Sequence, residues 1–130
     1  SEGDNDWPVL RYGDVILLYA EALNENGKTA EALTQLNLIR TRAGLAGKVG
    51  LSQADARTAI RNERRIELCF EAERWFDLVR WNTFIPVMTA FKAKGSVNGT
   101  IGNITDNLRL FPIPLREIQL NTNLTQNPGY

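Results

Sequence analysis

The chain has 130 residues, 43% of them hydrophobic, with 15 basic and 15 acidic side chains, one cysteine and no histidine. That size suits one domain with a real core, expected over residues 1–130, and the balanced charge argues against nucleic acid or an anionic membrane surface as a partner. Cys/His metal sites, Ser-His and Cys-His catalytic pairs and an intramolecular disulfide are all excluded by the same counts. No apolar run is long enough to span a membrane. The chain opens on Ser1 rather than Met, so the lack of a signal peptide carries no weight.

Residues 1–6 are polar and acidic and are expected to fray, and Trp7-Pro8 reads as an extended entry. A first helix is predicted from about Leu10 to Asn26, with Val15, Leu18, Tyr19, Ala22 and Leu23 at helical spacing. Asn26-Gly27 ends it, because glycine accepts the left-handed conformation after the last turn. Thr29 is the expected cap of a second helix running to about Ala43, striped by Ala32, Leu33, Leu36, Ile39 and Ala43. So short a connection forces the two helices to lie antiparallel and in contact. Ala20, Gly27 and Ala32 occupy the small positions of a tetratricopeptide-type hairpin, while Leu23 and Leu36 replace its usual aromatics. Only one copy is visible, so a solenoid array within the chain is not expected.

Gly44 to Leu51 holds three glycines and reads as a loop. Ser52 with Asp55 has the capping-box pattern and opens a third helix, predicted to run to about Ala72 with a break near Glu73. A short helix carrying Trp75 to Arg80 follows. Thr83 is the expected cap of another, from Phe84 to about Lys94, with Pro86 in its first turn, where a missing N–H costs little. Gly95 to Asn107 reads as a flexible loop and Leu108 to Phe111 as extended. Pro112-Ile113-Pro114 stiffens the backbone before one or two helical turns at Leu115 to Leu120. Asn121 to Tyr130 is coil, expected to be ordered by docking on the helices. The class is all-α.

The centre of the pattern is Ile60 to Trp81. Nearly half of it is charged, yet Phe70, Trp75, Phe76 and Trp81 sit among the charges. That mixture points to guanidinium groups held against carboxylates and ring faces in a packed helical module. Glu63, Glu67 and Glu71, four apart on the predicted helix, could be read as a general acid and base. Such chemistry needs carboxyls facing each other across a bond, and a ladder among arginines has depressed pKa values, so we assign no catalytic residue. Glu71 with Arg74 and Asp77 with Arg80 have ion-pair spacing. Arg61, Arg64 and Arg65 are neutralised locally by Glu63 and Glu67, which disfavours an anion or nucleic-acid site. Trp81, Trp75 and Trp7 are the candidate sugar-stacking rings, although a tryptophan in a helical protein is more often a core residue. Residues 95–99 lack the ending of a phosphate-binding loop, and the Asn-x-Thr triplets at Asn98, Asn103 and Asn123 carry little information. No metal and no cofactor is expected.

Four segments together resemble the SusD/RagB family of outer-membrane nutrient-binding lipoproteins. They are RYGDVILLYAEALNENG with LNLIRTRAGL, the long RNERRIELCFEAERWFDLVRWN, LFPIPLREIQLN, and the C-terminal NLTQNPGY. The resemblance implies a largely helical scaffold of tetratricopeptide-type pairs and binding of oligosaccharides or other nutrients without cleavage. It also implies lipid tethering at the outer-membrane cell surface and partnership with a TonB-dependent, SusC-like transporter. Members are much longer, so the chain resembles their C-terminal part, with the lipid anchor and the remainder of the parent chain outside it. Under this resemblance Glu63, Arg64, Arg65, Glu67, Phe70 and Glu71 match a scaffold signature, as do Arg74, Trp75, Asp77, Arg80 and Trp81. No ligand-binding residue is transferred. The competing readings are a free-standing helical module for protein–protein interaction and an enzyme using the glutamates.

Overall fold

The computed structural model of the protein describes residues 9–95 and 102–130. Among them are six α-helices, α1 (Tyr12–Glu25), α2 (Thr29–Arg42), α3 (Gln53–Glu67), α4 (Arg74–Arg80), α5 (Phe84–Ala93) and α6 (Leu115–Leu120), and no strand. A 3-10 turn at Asp106–Arg109 lies where an end of loop and an extended start were expected. There, an Arg109–Asp106 pair three residues apart favours the tight turn over extension. The chain divides into two compact units, Ser1–Arg74 and Trp75–Tyr130.

In the first unit, α1 and α2 form the expected hairpin. Gly27 has φ +76°, the Lys28 amide donates to the Leu23 carbonyl and the Gly27 amide to that of Asn24, a Schellman ending. The same closure recurs at Gly44, where the Leu45 amide reaches the Arg40 carbonyl. Ala20 and Ala32 are both fully buried, which lets the helices approach closely. The core is aliphatic: Ile16, Leu17, Ala20 and Leu23 from α1, Ala32, Leu33, Leu36 and Ile39 from α2, and Ala56, Ala59 and Ile60 from α3.

Three local expectations are corrected here. The buried face of α1 is Gly13, Ile16, Leu17, Ala20, Leu23 and Asn24, while Val15, Leu18, Tyr19 and Ala22 are exposed. Apolar residues occupy more than one side of α1, so periodicity alone chose the wrong stripe. In α2, Ala43 is the exposed C-cap, not part of the stripe. Thr29 is the first residue of α2 rather than its cap, because its hydroxyl donates to the Asn24 side chain at 3.1 Å. The Ser52 cap holds: its hydroxyl oxygen accepts from the Asp55 amide at 3.1 Å.

Helix α3 stops at Glu67, five residues short of the expected end. Phe70 and Ala72 have φ of +69° and +64°, so residues 68–73 cannot continue the helix. Arg11 holds this turn. Its guanidinium donates to Glu67 Oε1 at 2.7 Å, to the Glu67 carbonyl at 2.7 Å and to Glu71 Oε2 at 3.0 Å. Glu71 therefore leaves the helix face it was expected to share with Glu63 and Glu67.

In the second unit, α4 ends on Asn82, a non-glycine residue at φ +55°, and the Thr83 amide donates to the Leu78 carbonyl. Thr83 precedes α5 but its side chain makes no cap; the hydroxyl turns back to the Leu78 carbonyl at 3.4 Å. The C-terminal tail is hydrogen-bonded to the extended segment at 110–113. Gln126 pairs with both the amide and the carbonyl of Ile113, at 2.8 and 2.9 Å. Asn127 donates to the Phe111 carbonyl and the Tyr130 hydroxyl to the Leu110 carbonyl. Gly129, at φ +95°, lies so close to Asn107 that a Cβ would meet its Nδ2 at 2.7 Å. Only glycine closes the chain there.

Candidate functional site

The central signature spans both units, and each half has its own chemistry. In the first unit, carboxylates of α3 and the turn after it are gripped by arginines of α2 and by Arg11, just before α1. Glu63, 7% exposed, accepts from Arg40 at 2.7 Å. Glu67 accepts from Arg11 and from Arg42, and Glu71 from Arg11. Arg64 is 2% exposed, and its Nη1 lies 2.7 Å from Asp14 Oδ1. Gly13 gives this network room, since a Cβ on it would come within 2.9 Å of Glu67 Oε1.

This arrangement limits what the glutamates can do. Burial pushes the Glu67 carboxyl up, but hydrogen bonds from Arg42 and Arg11 outweigh it and hold the group below the usual carboxylate range. Hydrogen bonds to Glu71 and Glu67 push the Arg11 guanidinium further up, against a smaller opposing effect of burial. A carboxylate kept ionised in this way has no proton to donate near neutral pH, so Glu67 is a poor general acid.

A groove of about 450 Å³ opens beside the pair Arg40–Glu63, lined also by Lys48, Leu51, Asp55, Thr58, Ala59, Asn62 and Ile66. It offers amide, hydroxyl and carboxylate groups but no aromatic platform. Among the described residues, no cluster of three His, Cys, Asp or Glu side chains is placed to hold a metal ion.

In the second unit, Asp77 is 3% exposed and pairs with Arg80 at 2.8 Å, as the three-residue spacing predicts. The Arg80 guanidinium lies 4.8 Å from the centroid of the Trp81 ring, a cation–π contact on one of its faces. Trp75 meets Phe111 with ring centroids 4.6 Å apart, Phe76 edge-on at 5.1 Å, and Phe84 at 6.4 Å. Both half-buried tryptophans therefore have protein groups against their rings. Trp7 lies outside the described residues, as do Asn98 and most of 95–99. Arg65 is exposed, Arg74 is half-buried, and Phe70 is 96% exposed.

Several residues that organise the site had no signal we could read. Asn24 is fully buried; its Nδ2 donates to the Gln53 carbonyl and its Oδ1 accepts from Thr29, while the Gln53 amide returns to the Asn24 carbonyl at 2.6 Å. One side chain thus ties the end of α1 to the starts of α2 and α3. Asn37 serves the 44–51 loop similarly, pairing with both the amide and the carbonyl of Lys48. Arg11, Asp14, Arg40 and Arg42 are partners of the central signature from at least 23 residues away in sequence. Their polarity within otherwise apolar segments was the only hint.

A helical hairpin, a third helix cross-linked to it by buried arginine–carboxylate pairs, and a tail closed on Asn-Pro-Gly-Tyr define a specific class of protein. The chain belongs to the SusD family, whose model matches residues 1–130. It is 35% identical to SusD-like protein P2 of Formosa agariphila over 99% of this chain and 27% of that protein. It is 32% identical to the starch-binding protein SusD of Bacteroides thetaiotaomicron, over 98% of this chain and 22% of that one. The solved surface glycan-binding protein A of Bacteroides uniformis superposes with a TM-score of 0.69 at 30% identity, over 95% of this chain and 28% of its own. The chain spans about a quarter of the length of the relatives it matches.

Proposed function

We propose that these residues are the scaffold portion of a non-catalytic, nutrient-binding protein of the bacterial cell surface. Its ligand class is oligosaccharide. It works with a TonB-dependent outer-membrane transporter and is held there by a lipid anchor outside this segment. The similarity to a starch-binding and a surface glycan-binding protein supports the ligand class. The observation that carries the scaffold role is the engagement of the signature itself. Glu63, Arg64, Glu67, Glu71, Asp77 and Arg80 are all tied in ion pairs within the chain. Groups so occupied have fewer donor and acceptor sites left for a sugar, and breaking a buried pair to free more costs several kcal/mol. The glutamates' pairing likewise favours binding over hydrolysis.

The test is a glycan array probed with the longest natural polypeptide that carries these residues, followed by calorimetry and product analysis on each hit. The expected result is binding without cleavage, little changed by Trp75→Ala or Trp81→Ala in protein that remains folded. Release of shorter glycans would overturn the non-catalytic reading. Loss of binding in either folded tryptophan variant would overturn the scaffold assignment.

A further inference from the structure

The groove beside the Arg40–Glu63 pair lies wholly within the first unit, and its wall is already fixed in place. Arg40 Nε donates to the Ala46 carbonyl at 2.8 Å and Nη1 to Glu63 Oε2 at 2.7 Å. Asn37 pins the main chain at Lys48 through both its amide and its carbonyl. A ligand entering there has little of the wall left to order, which lowers the cost of binding.

Three polar groups on this wall keep hydrogen-bonding capacity. Glu63 is 7% exposed, and its Oε2 accepts from Arg40, but among the described residues its Oε1 has no donor. A recessed carboxylate oxygen is costly to leave without a donor, and Glu63 lines the groove, so a donor can reach it from there. The exposed Asn62 amide and the half-buried Lys48 Nζ likewise have no partner among the described residues.

The lining sets the kind of ligand. Arg40 and Lys48 balance Asp55 and Glu63, so the groove has no net charge with which to draw an ion. Its free groups are an acceptor, a donor, and an amide that is both. Hydroxyl groups, each donor and acceptor at once, satisfy such a mixed set. Leu51 and Ile66 add apolar surface, Ile66 being 72% exposed, and this suits the C–H face of a ring that carries hydroxyls on its edge. The volume of about 450 Å³ is within the range of small-molecule sites.

We infer that the groove between the 44–51 loop and α3 is a contact site for a neutral sugar. Glu63 Oε1 accepts from one hydroxyl, and Asn62 and Lys48 bond its neighbours. This adds a site to the scaffold and takes its ligand class from the oligosaccharide reading.

The test is methyl NMR on the longest natural polypeptide that carries these residues, labelled at isoleucine and titrated with maltose, cellobiose and lactose. Glucosamine and glucuronate are the charged controls. The Ile66 methyl signal is expected to shift saturably with at least one of the neutral sugars, while that of Ile39, 3% exposed in the core, stays still. Asn62→Ala leaves the core and the Arg40–Glu63 pair intact and is expected to weaken the titration about fivefold, the worth of one hydrogen bond. An Ile66 signal unmoved by all three neutral sugars would overturn the proposal. So would a titration that Asn62→Ala leaves unchanged, or tighter binding of either charged sugar. Glycans that bind on the array while Ile66 stays silent would strike only the groove; no binding in either experiment would strike the ligand class as well.

Discussion

In Ser1–Arg74, eleven apolar side chains of α1, α2 and α3 form one buried cluster, and arginine–carboxylate pairs close around it. Among the described residues of Trp75–Tyr130 the buried apolar side chains are Leu78 and Phe84, and α6 buries none. Rings and main-chain pairing take over there: Trp75 against Phe111, and Gln126 on Ile113. The two units share one device. A single amide side chain pairs with both polar groups of one loop residue, Asn37 with Lys48 in the first and Gln126 with Ile113 in the second. In the first unit that pairing is backed by a core; in the second it carries more of the burden. The difference teaches that the same charged signature stabilises by different means on either side of residue 74. Upstream it locks helices over a finished core, and downstream it steadies one short helix beside a cluster of rings.

The largest effect is expected from Arg64→Ala. It leaves Asp14 without its 2.7 Å partner beside the core, and stranding one member of a buried pair costs on the order of 3–5 kcal/mol. A domain of this size has only about 5–15 kcal/mol in all, so chemical denaturation should show a much-reduced midpoint. Lys92→Ala, which removes an exposed contact to the Gly102 carbonyl, should change stability by no more than about 0.5 kcal/mol. Equal midpoints for the two variants would remove the pair from the account of the first unit.

Trp75→Ala comes next and probes the second unit. It removes the ring that meets Phe76, Phe84 and Phe111, at a cost of about 3 kcal/mol for a large aromatic site. Amide exchange should accelerate first at 110–127, and the protected amides of α1 to α3 should follow less. Uniform acceleration throughout the chain would break the distinction between the units.

A smaller effect of opposite sign is expected at Ala72. Its φ of +64° costs an L-residue roughly 1 kcal/mol, which glycine avoids. Ala72→Gly should therefore raise the thermal midpoint by a few degrees. A lower midpoint would mean that the alanine methyl group contributes more than the strain removes.

The pH dependence should be smallest. The folded-state pKa of Glu67 lies below its unfolded value, so its contribution is fully present above the ordinary carboxylate range and is lost as pH falls through the folded pKa. Glu25, held low chiefly by its hydrogen bond from Arg57, acts in the same direction, but its exposure leaves it screened. Denaturation midpoints measured from pH 6 down to pH 3, set beside Glu67→Gln, should show a shallower acid loss in the variant. Parallel curves would assign the acid sensitivity to other groups.

Local chemistry was legible in the residues wherever the determinant was itself local. Gly27 ended α1, Ser52 capped α3, the α2 stripe from Ala32 to Ile39 was buried, and Asp77 found Arg80 three residues away. The long central signature, a pattern of residue types in order, also carried the resemblance that family membership later matched. Tertiary structure decided what depends on partners distant in sequence. It chose which of two apolar sides of α1 faces the hairpin, because α2 and α3 together cover only one. It ended α3 at Glu67, where Arg11, 56 residues upstream, holds the turn, although the helix propensity of the sequence runs on. It also made Asn24 a buried junction and Gln126 the clasp of the tail, since an amide side chain shows no preference until a main-chain group is brought within reach. Periodicity and capping act over one or two turns, whereas desolvation and ion pairing are settled only when the chain has closed on itself.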